Sequence, residues 1–168
     1  MTVNNADILK IVTDIEAEYI KNLPPPYDVL YSKLAVMEFC GWIEQTFDDI
    51  LKNYINNKLQ LQTNKNYIEK EIIRRNSNFN YDNNFRKMLL NIIGIKNLEK
   101  FEYDLENKGA LVSQLVPILG RYATERNDAA HTCTPRTTKT YQTPSVVLSD
   151  IKTITHIFIE IELEIMNY

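Results

Sequence analysis

Between Asp28 and Tyr54 the apolar side chains Val36, Cys40, Ile43, Phe47, Ile50 and Tyr54 recur in steps of 4, 3, 4, 3 and 4. Only a helix brings such positions onto one face, and a seam this long needs other helices to cover it. Gly41 leaves the seam uninterrupted and leaves room for a close neighbour. Connections are scarce, because 4 Gly and 6 Pro in 168 residues is about half the usual share. The expectation is a chain of few turns and long helices, in one domain over 1–168.

The flanking segments carry weaker signals of the same kind. Asn4 or Asn5 can cap a first helix, on which Ile8, Ile11, Val12, Ile15 and Tyr19 share a stripe, and Pro24-Pro25-Pro26 ends it. Residues 1–27 thus read as an N-terminal helix and a proline-rich turn. The polar, Asn-rich stretch 56–66 reads as a loop, followed by helices over about 65–75 and 82–93. Asn80 or Asp82 caps the latter, Gly94 ends it, and Phe85, Leu89, Ile92 and Ile93 form its buried stripe. A short amphipathic piece near 97–106 leads to Gly109. Leu111, Leu115, Ile118, Leu119 and Tyr122 then carry a helix to about His131, with a kink or restart expected at Pro117. Residues 132–143 read as a loop.

In the last segment, 159–165 alternates as a half-buried strand would. Leu148, Ile151, Ile154, Phe158, Ile161 and Ile165 nevertheless keep helical spacing. No second strand is visible to pair with, so the segment is assigned to helix. The expected fold is all-α, an up-and-down bundle of about five helices.

Charge and cysteine usage narrow the function classes. The net charge is −3, so the chain is not a general polycation. The charge is unevenly placed: −4 over 1–60, +4 over 61–100 and −3 over 101–168. A polyanion would use a local patch, for which Lys65, Lys70, Arg74, Arg75, Arg86 and Lys87 are candidates, with Arg121, Arg126, Arg136 and Lys139 farther along. Cys40 and Cys133 form no ligand spacing, so neither a zinc site nor a disulfide framework is expected, and a reduced cytoplasmic setting fits best. The start of the chain does not read as a secretory signal, and no apolar run is long enough to span a bilayer.

One cluster concentrates chemistry: Arg126-Asn127-Asp128-Ala129-Ala130-His131, at a helix end facing a polar loop. On a helix Asn127 and His131 share a face, whereas Arg126 and His131 are about 140° apart. Two copies related by a two-fold axis would bring both groups to one groove. Such a pair suits cleavage of a phosphodiester by its own 2′-hydroxyl. An imidazole titrates near 6.5 and moves the proton, and a guanidinium holds the phosphorane charge. Asn127 would orient the imidazole or bond the phosphate. No metal or cofactor is required.

Arg-Asn-x-x-Ala-His, after an apolar helix and before a polar loop and a further helix, resembles the HEPN superfamily and is similar to its RiboL-PSP-HEPN branch. The early helix containing Met37-Glu38-Phe39-Cys40-Gly41-Trp42-Ile43-Glu44 is also family-like, so the likeness spans 28–168. It implies a helical homodimer with a composite site, acting on RNA as a metal-independent endoribonuclease of toxin–antitoxin or antiviral-defence type. An antitoxin or a neighbouring defence protein is then an expected partner. Arg126 and His131 would be catalytic and Asn127 supporting, with an acidic group from the long helix, for which Glu44 is the choice. Thr132 departs from the glycine the family often has after the histidine, and Pro117 interrupts the motif helix.

The alternative is a catalytically silent HEPN-like module that binds a nucleotide or a partner. Arg126 and His131 also admit a purely structural reading, in which the imidazole caps the helix and the guanidinium pairs with Glu125 or Asp128. His156 and Cys133 read as non-catalytic. Trp42 and the tyrosines read as core or dimer-surface residues, with Tyr122, one turn before Arg126, open as a base-stacking platform.

Overall fold

The computed structural model describes residues 2–21, 24, 26–133 and 140–168. Their regular structure is entirely helical, without strands, and includes six α-helices of eight residues or more rather than five. None of these helices is long and apolar enough to cross a membrane.

The predicted seam lies on α2 (Tyr27–Lys58), a helix about 48 Å long at 1.5 Å per residue. All six seam residues are buried. Helix α2 packs against α1 (Ala6–Tyr19), α7 (Leu111–His131) and α8 (Pro144–Ile165), and α1 also packs against α8. A smaller layer closes the far end. It comprises α3 (Gln62–Tyr67), a π-helical stretch over Ile68–Ile73, the single turn α4 (Arg74–Asn76), a second π-helical stretch over Tyr81–Phe85, α5 (Arg86–Ile93) and α6 (Ile95–Asn107).

An aromatic column ties the layers together. Phe47 of α2 stacks on Phe85 with centroids 4.0 Å apart and meets Phe158 of α8 at 4.9 Å. Phe39 meets the Tyr122 ring edge-on at 4.7 Å. Ring pairs at these separations are favourable beyond simple burial.

Several expectations need correction. Residues 56–66 are not a loop: α2 continues to Lys58 and α3 begins at Gln62. The Asn57 side chain bonds back to the Asn53 carbonyl at 2.8 Å, so its amide supports the helix end that composition argued against. Helix α7 runs unbroken through Pro117 and does not restart there. Pro117 and Ser113, whose carbonyl loses its helical donor, both lie on the exposed face, where water can take that carbonyl. Ile11 faces outward instead of joining the α1 stripe of Ile8, Val12 and Ile15.

Other local readings agree. Asn80 Oδ1 accepts from the Asn83 amide at 2.8 Å. Gly94 ends α5 at φ 78°, a conformation that favours glycine. The ambiguous last segment is helical through Ile165, with Pro144 at its start. The Pro25 part of the proline-rich turn and residues 134–139 of the loop lie outside the described residues.

Buried Glu162 of α8 gathers the amino-terminal segment onto the bundle. Its Oε1 accepts from the Thr2 amide (2.6 Å), the Thr2 hydroxyl (2.7 Å) and the Asn53 amide (2.8 Å), while Oε2 accepts from the Val3 amide at 3.3 Å. Burial alone would push this carboxyl up, but the hydrogen bonds from Thr2 and Val3 hold it below its ordinary value of 4.5. A carboxylate with a depressed folded-state pKa contributes stability at neutral pH that is lost as pH falls below about 4.5.

Glu162→Gln should therefore lower the melting temperature at pH 7 and reduce its decline under acid, as read by thermal melts across pH 3–7. Phe47→Ala, which empties the centre of the aromatic column, should cost about 3–5 kcal/mol in urea unfolding.

Candidate functional site

Helix α7 lies antiparallel to α2 and is tied to it at two levels. The Cys40 thiol is 3.9 Å from the Tyr122 carbonyl. About two turns away along α2, the Lys33 ammonium donates to the Thr132 carbonyl at 2.7 Å, just beyond the last residue of α7. The Arg126–His131 motif therefore sits between these two anchors, against the 33–40 stretch of α2.

The end of the motif helix is held firmly. Thr132 Oγ1 donates to the Asp128 carbonyl at 2.6 Å and lies 2.8 Å from the Tyr141 hydroxyl. The Lys33 ammonium also stands 5.9 Å from the centroid of the Tyr141 ring. Glu125 Oε2 accepts the Gln142 amide at 2.9 Å, which draws the segment preceding α8 onto α7. Thr132, a departure from the family pattern, thus anchors the helix end. Neither it nor Lys33 nor Tyr141 carries a sequence signal that would have selected it.

Arg126 is half-buried and close enough to Cys40 to stabilise its thiolate, within a neighbourhood that also holds Glu125 and Glu44. Among the described residues its guanidinium makes no hydrogen bond or ion pair. Asn127 and His131 are exposed. By helical geometry they share one face, whereas His131 is about 7.5 Å along the axis and 140° around from Arg126. One copy therefore brings Asn127 and His131 together and leaves Arg126 turned toward α2.

Glu44 is half-buried on α2, one turn beyond Cys40 on the side that faces α7. Its Oε1 lies 3.4 Å from the Ser77 hydroxyl, which bonds Asp48 Oδ2 more closely at 2.8 Å. Burial pushes the Asp48 carboxyl up, opposed by that hydroxyl and by Lys52. Glu44 thus belongs to a carboxylate pair bridged by Ser77, a partner sequence reasoning did not anticipate.

Four of the basic candidates are paired with carboxylates. Arg74 pairs with Glu69, Arg75 with Glu71, Arg86 with Glu102 and Arg121 with Asp150. Arg136 and Lys139 lie outside the described residues. Tyr122 is not a stacking platform. It is fully buried, its hydroxyl donates to Asp150 at 2.7 Å, and burial followed by that bond pushes its pKa upward. Trp42 is half-buried, with its indole N–H given to the Asn4 carbonyl at 2.9 Å. His156 is exposed on α8, away from the motif.

Comparison of the chain with models of protein families, with curated proteins and with solved structures finds no match.

Both thiols are free, Cys40 buried and Cys133 exposed. Burial, only partly offset by Arg126, pushes the Cys40 thiol up to about 12. Alkylation of native protein at pH 8 should accordingly label one cysteine per chain, at Cys133, and two after unfolding, as read by intact mass.

Proposed function

We propose that the chain is a HEPN-like, metal-independent endoribonuclease that cuts RNA through the 2′-hydroxyl at a groove shared by two copies. The observation that carries this reading is the state of Arg126. Arg74, Arg75, Arg86 and Arg121 are each spent on a carboxylate, whereas Arg126 keeps its guanidinium unpaired among the described residues, inside the Arg-Asn-x-x-Ala-His motif. Leaving a half-buried cation without an acceptor costs free energy, and two oxygens of a phosphate supply the paired acceptors its planar fork lacks.

In this reaction the His131 imidazole takes the 2′-hydroxyl proton and the oxygen attacks phosphorus. The 5′-oxygen then leaves, taking its proton from an imidazolium, and the product is a 2′,3′-cyclic phosphate. Arg126 holds the negative charge that accumulates on the phosphorane oxygens. Asn127, on the His131 face, orients the imidazole or bonds the phosphate, and Glu44 contributes from α2. The pinning of Thr132 by Lys33 and Tyr141 supports the reading, since a reactive group at a helix end needs a fixed helix end.

A catalytically silent module of the same fold is the second reading, favoured by the pairing of Arg74, Arg75 and Arg86 with carboxylates, which occupies the three guanidiniums of 61–100. An HEPN-type role in toxin–antitoxin or defence systems, and a cytoplasmic location, go with the first reading.

Purified protein incubated with mixed RNA in excess EDTA should cleave it. His131→Ala should slow the rate roughly 10²–10⁴-fold while keeping the fold. Absence of cleavage by the unaltered chain, or equal cleavage by the variant, rejects the nuclease in favour of the silent module.

A further inference from the structure

Near the end of the motif helix three elements leave a cavity of about 240 Å³ between them. Tyr19, the last residue of α1, lines it together with Asp28 and Ser32 from the first turns of α2 and with Tyr141 and Thr143 from the segment before α8. Several of its polar groups have nothing to bond. Ser32 is 5% exposed, yet among the described residues its hydroxyl has no hydrogen-bond partner, and neither have the Tyr19 hydroxyl and the Asp28 carboxylate. A buried hydroxyl without a partner costs free energy, and a ligand that supplies one recovers it. We propose that this cavity receives one guanine base. The inference rests on the proposed nuclease only for the source of the base, which is then the RNA substrate and not a free guanine nucleotide.

Size and chemistry select that occupant. Sites for drug-sized ligands run from roughly 300 to 1,000 Å³, so a cavity of about 240 Å³ takes a single planar ring system and excludes a base pair. Tyr19 and the buried Tyr141 supply ring surface of the kind on which bases stack. The carboxylate of Asp28 only accepts hydrogen bonds at neutral pH. Guanine presents its imino N–H and its amino N–H side by side, the same paired donors with which a guanidinium meets a carboxylate. Adenine, cytosine and uracil alternate donor with acceptor along that edge, so the carboxylate would meet an acceptor as well. The Ser32 hydroxyl is free to donate to the carbonyl oxygen that completes the guanine edge.

The cavity adjoins the end of the motif. Tyr141, which lines it, has its hydroxyl 2.8 Å from Thr132 Oγ1, and Thr132 follows His131 in the chain. That bond also fixes the ring, and a recognition site needs a fixed wall. Lys33, next to Ser32, joins the two places: its ammonium donates to the Thr132 carbonyl at 2.7 Å and stands 5.9 Å from the centroid of the Tyr141 ring. An ammonium has three donors and uses one here, which leaves two for the phosphate of a nucleotide whose base enters the cavity. The neighbouring link of the RNA chain then falls beside His131. Cleavage is accordingly expected next to guanosine.

Calorimetric titration of the purified chain should show guanosine monophosphate binding about tenfold more tightly than the adenosine, cytidine and uridine monophosphates. Inosine monophosphate, which lacks the amino group, should bind more weakly than guanosine monophosphate. Asp28→Asn should abolish the preference. Ser32→Ala should weaken guanosine monophosphate binding and leave the melting temperature unchanged, because the hydroxyl it removes has no partner among the described residues. Equal affinity for the four nucleotides, no binding at millimolar concentration, or a preference that survives Asp28→Asn overturns the proposal. RNA cleavage, mapped by end sequencing, separates the subsite from the nuclease. Guanine binding without cleavage removes the nuclease and leaves the subsite, whereas cleavage without preference by a chain that binds no guanosine monophosphate removes the subsite and leaves the nuclease. Guanine binding together with cleavage positions that ignore Asp28→Asn assigns the cavity to a free guanine nucleotide instead of RNA.

Discussion

Burial of the α2 seam is the interaction on which the rest of the molecule depends. Val36, Cys40, Ile43, Phe47, Ile50 and Tyr54 are buried on a helix that packs against α1, α7 and α8, so one helix sets the level at which the other long helices dock. A helix of 32 residues has no stability of its own to spare in water. It persists because its apolar face is covered along its length, and the helices that cover it are positioned by the same contacts. The aromatic column through Phe47, Phe85 and Phe158 extends this dependence to the far layer.

The candidate site inherits its geometry from that seam. Cys40 belongs to it and touches the backbone of α7 at Tyr122, which places Arg126 one turn beyond, beside α2. Lys33, one turn before the Met37 level, fixes the other end of the motif through Thr132. The site is therefore held by α2 and by the segment preceding α8. Its Asn127–His131 face is left to solvent.

Much of the fold is legible in residue spacing. The α2 seam, the stripes of α1 and α8, the Asn80 cap and the Gly94 terminus are local signals, and local backbone geometry answers to them directly. A loop over 56–66 does not form because asparagine is not a breaker here: Asn57 uses its amide to prolong the helix it ends. Pro117 does not restart its helix. Its cost falls on a carbonyl, and that cost depends on whether water reaches the carbonyl, which spacing does not report. The motif itself is visible in the sequence, but the burial of Tyr122 is not, since a tyrosine on a helix face is compatible with either core or platform until its neighbours are known.

The sequence by itself determined that this chain is a set of long amphipathic helices, because a 3.6-residue period is a property of neighbouring residues alone. It also determined that arginine, asparagine and histidine stand together at one helix end. Only the tertiary structure decided which cations remain available. Glu102 lies sixteen residues from Arg86 and Asp150 twenty-nine from Arg121, and charges so far apart in the chain neutralise one another only after the helices have docked. The same docking left Arg126 without an acceptor among the described residues and left Tyr27, Leu30, Leu34 and Met37 of α2 exposed, since burial is a relation between elements and not a property of any one of them.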